Sequence, residues 1–284
     1  MAESPAPGPV VLRIRLGVTL RRLRESRGIT AQLAAREIRG SDSKISRIEL
    51  GRQSAREVDV ADLLTLYGVT DQAERDALLT LASQALGPPW WQPYTDVLPT
   101  WFQAYLGVEE AAESVRTYDT HFVPGLLQTA DYAAGLLAPG GFGAGETAKL
   151  LEVRAKRVAR FAAGGWRLSA VIDEAVLHRP VGDRRAFAAQ LEHLRDAARW
   201  PGVTVRIRPL SAGAPISPAG FTILRFAADE LPDAVYSEQL TTASYLDRPA
   251  DVARYAAAMD LLAGGSRAAD QTAAIVGAEL TRLG

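Results

Sequence analysis

Four prolines stand within the short segment GPPWWQPYTDVLPTW: Pro88, Pro89, Pro93 and Pro99. Proline lacks a backbone N–H donor and its ring clashes with the preceding turn, so no continuous helix passes through residues 87–101. The chain is thereby divided into a stretch before and a stretch after that must each find its own core. The aromatic residues Trp90, Trp91, Tyr94 and Trp101 argue against a solvated tether. The segment reads as a structured strap that docks on the part that follows. With 284 residues, 48% of them hydrophobic, there is room for two domains and enough apolar material for both.

The part before the strap is expected to be all helical. Residues 1–10, rich in Pro, Gly and Ala, read as a disordered tail. Leu16, Leu20 and Leu23 then follow helical spacing, and Gly28 suits the end of that helix. Thr30 is placed to cap a second helix, and Ser41 or Ser43 a third that buries Ile45 and Ile48 and stops at Gly51. A fourth runs through Val60, Leu63 and Leu64 to Gly68. A fifth starts at Asp71, with Glu74 completing a capping box. The expected organisation is a tail over 1–10, a five-helix domain over 11–86, the strap over 87–100 and a second domain over 101–284.

Charge is distributed unevenly along a chain whose net formal charge is −1. Between residues 10 and 56 there are twelve Arg or Lys and four acids, whereas residues 57–86 hold six acids and one arginine. A basic block in a neutral chain points to one module that meets a polyanion. There is no cysteine, which excludes disulfides, thiolate metal sites and a cysteine nucleophile, and fits a reducing compartment. The opening MAESPAPGPVV has neither the basic start nor the apolar run of a signal peptide, and no apolar stretch reaches membrane-spanning length. A cytoplasmic, nucleoid-associated protein with no membrane partner is expected.

The basic block centres on GSDSKISRIELGR, residues 40–52. A helix approaching a phosphate backbone benefits from free N–H groups and a small cap at its start, which Ser41 supplies. A helix lying in the major groove must turn one face to its own core and the other to base edges. Ile45 and Ile48 fill the first role, while Asp42, Ser43, Lys44, Ser46 and Arg47 project on the other side. The preceding helix, a tight turn and this helix together make a helix-turn-helix, flanked by arginines suited to phosphate contacts.

On these residues, positions 16–68 resemble the helix-turn-helix of Xre-type and phage-repressor proteins, whose hallmark is a T-x-x-x-L-A segment, a turn and an S-x-x-x-I-S-x-I-E-x-G helix. Thr30, Ala35, Ser41, Ile45, Ser46, Ile48, Glu49 and Gly51 carry the match. The resemblance implies base reading by Asp42, Ser43 and Arg47 and phosphate or base contacts by Ser41 and Lys44. Thr30, Gln32, Ser46 and Arg52 complete the expected DNA-binding set. The chain departs from the pattern at Ala31, at Ala34 and at Arg39, where a glycine is usual in the turn.

A wider resemblance runs from about residue 13 to the end. The phrases IRGSDSKISRIELGR, DVADLLTLYGV, RTYDTHFVPGLLQTADYA, VIDEAVLHRPVG and AVYSE are similar to those of WhiJ-like actinomycete regulators, which join an Xre-type domain to a large C-terminal domain of poorly known function. That resemblance implies links to development and antibiotic production and a small BldB-like partner protein. Arginine outnumbers lysine twenty-nine to three, in keeping with a GC-rich genome.

The second domain reads as α+β, with five or six strands. VTVRIRPL alternates as a half-buried strand, FTILRF and AVYSE are two more, and helices close the chain near 249–264 and 267–283. Its three histidines (His121, His178, His193) lack metal-ligand spacing, and the glycine loop GGFGAG follows a helix rather than a strand, unlike a phosphate cradle. No metal, cofactor or catalytic role is therefore expected. The alternative is an ADP-ribosyltransferase-like enzyme or toxin-like module, in which Arg116 on an early strand and Glu238 on a late one would grip a dinucleotide and polarise its ribose. The primary expectation is a homodimeric regulator of double-stranded DNA, since one helix-turn-helix reads few base pairs. Its C-terminal domain dimerises or receives a signal from a small protein or ligand.

Overall fold

Helix α1 (Pro9–Ser26) opens a bundle completed by α2 (Ala31–Glu37), α3 (Asp42–Glu49), α4 (Glu57–Leu66) and α5 (Gln72–Gln84). The computed structural model describes residues 8–51, 53–163, 167–226 and 232–283. The five helices close over one apolar cluster built from Leu16, Leu20, Ile38, Ile45, Ile48, Leu63, Leu64 and Tyr67. The expected tail falls largely outside the described residues, and α1 begins at Pro9, inside the stretch read as tail. Proline at the first helical position loses nothing there, because that N–H has no partner within the helix.

The bundle's corners are set by one repeated device. At the ends of α1 and α4, glycines 28 and 68 take φ of +65° and +70°, and the next N–H reaches back to Arg24 and Leu64 carbonyls respectively. The end of α2 is built the same way, with Arg39 N–H bonded to Arg36 O and Gly40 N–H to Ala35 O. There the left-handed position is filled by Arg39, φ +51°, the one non-glycine of positive φ among the described residues. The usual glycine has been replaced without the turn changing.

After α5 the strap packs down onto the second domain. Trp91, Tyr94 and Leu98 are buried against Leu106, Leu137, Leu150 and Val153 of the second domain. Val10 from the first turn of α1 packs on the same cluster.

The second domain begins with α6 (Thr100–Ala111) and carries a six-stranded sheet ordered β3-β2-β1-β4-β5-β6. Its strands are β1 (Ser114–Asp119), β2 (Arg167–Asp173), β3 (Val203–Arg208), β4 (Phe221–Arg225), β5 (Ala234–Glu238) and β6 (Ala243–Leu246). β1, β2 and β3 run parallel, with the crossovers made by α7 (Ala130–Leu137) and α8 (Ala144–Ala163), and then by α9 (Arg184–Ala197). From β1 outward on the other side, β4, β5 and β6 pair antiparallel. The mixed sheet and its helices give the α+β character expected, and the bundle plus this domain make a two-domain chain. Helices α10 (Pro249–Gly264) and α11 (Thr272–Leu283) finish it.

The two faces of the sheet have separate cores. One holds Val115, Leu168, Ala170, Val205, Leu224 and Tyr236 under α6, α9 and α11. The other holds Tyr118, Val171, Phe221, Ile223 and Val235 against Met259 and Leu262 of α10. The outer edge of β3 is closed, because Arg267 N–H bonds Ile207 O at 2.9 Å and the Thr272 hydroxyl bonds Val205 O at 2.6 Å. Among the described residues no helix is long and apolar enough to cross a membrane.

Candidate nucleic-acid interface

Helix α3 is short, and its position depends on three attachments. At its start the Ser41 hydroxyl accepts the Lys44 N–H at 3.2 Å, as a capping serine should. Ile45 and Ile48, 1% and 2% exposed, sink into the bundle core. Near its end Glu49 receives two hydrogen bonds from Arg24 of α1, at 2.6 and 2.8 Å, while Arg24 also donates to Ile29 O at 2.9 Å. The hydrogen bonds that Arg24 donates to Glu49 hold its guanidinium above its ordinary value despite burial. Gly17 completes the contact: a Cβ there would lie 2.3 Å from the Ile48 carbonyl, so only glycine lets α1 come this close.

With that face fixed, Asp42, Ser43, Ser46 and Arg47 are left on the exposed side, alongside the capping Ser41. The Arg47 Nε donates to Gln53 Oε1 at 3.0 Å, which holds the guanidinium near the end of the helix. On α2, the Thr30 hydroxyl accepts Leu33 N–H at 3.2 Å and Gln32 is exposed beside it. Both lie at the helix start, where a phosphate would meet free N–H groups. The seven residues Thr30, Gln32, Ser41, Asp42, Ser43, Ser46 and Arg47 thus occupy exposed positions on the helix-turn-helix.

Lys44 differs. Its ammonium donates to Asp59 Oδ2 at 2.9 Å, and Arg56 donates to the same carboxylate at 2.7 and 3.2 Å. Burial pushes Asp59 up, but the hydrogen bonds from Arg56 and Lys44 prevail and hold it below its ordinary value. Lys44 therefore ties the start of α3 to the start of α4, and a phosphate would have to share it with Asp59. Arg52 lies outside the described residues. Arg39, read from the sequence only as a departure from a pattern, is exposed in the turn between α2 and α3. Its charge and position between two capped helices were the signals available for adding it to the phosphate-facing set.

The sheet does not bring Arg116 and Glu238 together. Arg116 neighbours Tyr118 on the α10 face and forms an ion pair with Asp260 at 2.5 Å. Glu238 shares a face with Tyr236, whose hydroxyl donates to it at 3.0 Å, and Tyr236 belongs to the opposite core. Two groups on opposite faces cannot hold one ribose between them, so the proposed pairing of these two residues is corrected. The strand-end acids Asp173 and Glu174 are engaged locally, accepting the N–H of Ala175 at 3.0 Å and of Leu210 at 2.7 Å.

A capped two-helix unit with a polar outer face, carried on a basic bundle, defines a helix-turn-helix protein, the class that binds DNA. The comparisons agree: a family model described as a helix-turn-helix domain matches residues 15–78. A second, described as a domain of unknown function (DUF5753), matches residues 102–277, more than half of the chain, and the protein belongs to that family. No curated protein and no solved structure matches the chain.

Proposed function

We propose that the protein is a sequence-specific transcription regulator. In this reading α3 lies in the major groove of double-stranded DNA, Asp42, Ser43, Ser46 and Arg47 face base edges, and Thr30, Gln32, Ser41 and Arg52 meet phosphates. The observation that supports it is the division of α3 into a buried Ile45–Ile48–Glu49 face and an outer face of short polar groups and one arginine. The protein acts as a homodimer on two half-sites, because a single unit reads too few base pairs for useful specificity. Its C-terminal domain dimerises or receives a signal, from a small molecule or from a small BldB-like partner. The resemblance to WhiJ-like actinomycete regulators supports a role in development or antibiotic production.

The test is selection of bound duplexes from a random library by the full-length protein at near-physiological salt. An inverted repeat is expected. Arg47→Ala should then cost about 1–3 kcal/mol on the selected site and relax one base position in each half. Sequence-blind binding, or an unchanged logo and affinity in Arg47→Ala, would sink the groove assignment.

A further inference from the structure

Parallel strands are ordinarily covered on both faces. On one face of this sheet, helix α10 supplies the cover, packing on Tyr118, Val171, Phe221, Ile223 and Val235. Toward the amino ends of β1 and β2 the same face continues, and its side chains change from apolar to polar. The register fixes two rows there. Arg225 of β4, Ser114 of β1 and Arg167 of β2 stand side by side in the first. Arg116 of β1, Ser169 of β2 and Thr204 of β3 stand in the second.

These rows border a depression of about 330 Å³, whose lining includes Ser114, Arg116, Arg167, Ser169 and Thr204 and, among the described residues, no acid. Neighbouring strands lie ~4.8 Å apart, so Arg225 and Arg167 flank Ser114 closely, and Arg116 stands diagonal to Arg167. Like charges at such spacing repel. Each guanidinium has a counter-ion away from the depression. Arg116 reaches Asp260 at 2.5 Å, Arg167 reaches Glu113 at 2.6 Å and Arg225 reaches Asp233 at 3.1 Å. Each of these hydrogen bonds uses one nitrogen of a group with five N–H donors, so donors remain for a further partner. Pairs this open to solvent also hold their members weakly. Among the described residues the hydroxyls of Ser114, Ser169 and Thr204 are engaged by no other side chain or carbonyl.

We infer that this part of the sheet is a binding site for a small phosphate monoester, a phosphorylated sugar or polyol. The phosphate sits over Ser114, which has Arg225, Arg167 and Arg116 as its neighbours. Three guanidiniums suit a dianion with three free oxygens, and their planar forks match its geometry. The rest of the molecule lies along Ser169 and Thr204, whose hydroxyls both donate to and accept from the hydroxyls of a polyol. A carboxylate, with one charge and two oxygens, would leave part of this set unused. The site goes beyond the DNA-binding reading and does not depend on it.

Occupancy has a mechanical consequence. The three arginines come from β1, β2 and β4, and at this end the backbone joins those strands through Glu113. Its N–H donates to Arg225 O at 2.7 Å, and its carbonyl accepts Arg167 N–H at 3.2 Å. A ligand held by all three arginines adds a second clasp across the same strands, so binding should also raise the unfolding midpoint.

The experiment is calorimetric titration of the full-length protein, in chloride buffer at neutral pH, with inorganic phosphate, glycerol 3-phosphate, ribose 5-phosphate and ribose. At least one ester is expected to bind once per chain, about 10-fold or more tighter than inorganic phosphate, with ribose silent. Arg167→Gln and Arg225→Gln should each weaken that binding about 10-fold or more. Arg199→Gln, which removes an exposed arginine beyond α9, should bind as the parent does. Both site variants should fold, because the pairs they break are open to solvent. If either does not, Ser169→Asp tests the same place by setting a carboxylate beside Arg116, and it should abolish binding. No binding of either ester, binding that survives the site variants, or an equal loss in Arg199→Gln would each overturn the site. Inorganic phosphate binding as tightly as the esters would overturn the sugar or polyol part of the assignment. Failure to select any DNA would overturn the regulatory reading and leave the titration as it stands.

Discussion

Replacing Glu49 by alanine should unfold the helix-turn-helix well before the rest of the chain. The pair it belongs to is nearly dry, with 12% of the Arg24 side chain and 8% of the Glu49 side chain exposed. Removing one member leaves a charge in a place with little water, which typically costs about 3–5 kcal/mol. Here Arg24 keeps its bond to Ile29 O and a 3.5 Å approach to the exposed Glu25, so the lower end, about 3 kcal/mol, is expected. The assay is urea unfolding of the full-length protein followed by far-ultraviolet circular dichroism, where an early transition carrying the helical signal of five helices should separate from the main one. Replacing both partners, Arg24→Met with Glu49→Leu, removes the desolvated charges together and should recover stability to within about 1 kcal/mol of the parent. A loss below about 1 kcal/mol in Glu49→Ala, or a double variant as weak as the single one, would refute the claim that this pair fixes α3 against α1.

Other expectations concern single positions. Arg39→Gly relieves a left-handed backbone at an L-residue but gives the unfolded chain more freedom; a net gain of about 0.5–1 kcal/mol is expected in the same assay, and a loss would mean the Arg39 side chain holds the turn. Asp119 is pushed up to about 6 by burial, with Glu238 adding repulsion and the Thr117 hydroxyl opposing both. Its folded value lies above its unfolded one, so the proton is bound more tightly in the folded state, and stability falls as pH rises from about 4 through 6. The full effect is about 3 kcal/mol at most. Asp119→Asn should therefore flatten the midpoint between pH 4 and 7 and be the more stable protein at pH 8; an unchanged pH profile would show that Asp119 is well hydrated.

The helix-turn-helix was legible because its signals are local. Caps at Thr30, Ser41 and Asp71, glycines at 28, 51 and 68, and the Ile45–Ile48 spacing each act within one turn of chain, and the helices start and stop where those residues place them. The strands VTVRIR, FTILR and AVYSE were legible from alternation for the same reason. Their order and direction were not. Nothing within β1 states that β2 lies parallel on one side and β4 antiparallel on the other, since that depends on crossovers made by distant helices. The same gap explains Arg116 and Glu238: alternation says which residues of one strand share a face, but only the register between strands says whether two strands agree. The Lys44 ion pair was not legible either, because its partner Asp59 sits fifteen residues on, beyond the turn that hides it.

Helix α1 belongs to both halves of the molecule. Its middle lines the bundle core through Leu16 and Leu20, while its first turn places Val10 among the residues that receive the strap. The chain therefore leaves the bundle through the strap and meets the second domain again at its own beginning, so the two halves are joined at two points. A single tether permits a swivel; here the strap and the start of α1 sit on one cluster, with Pro9 beside Gly87, and together they restrict it. In the dimer proposed above, two bundles would be presented at a separation set by the C-terminal domains, and the spacing of operator half-sites would read out that domain's shape. A bundle cut free at residue 86 would keep its reading helix and lose that ruler.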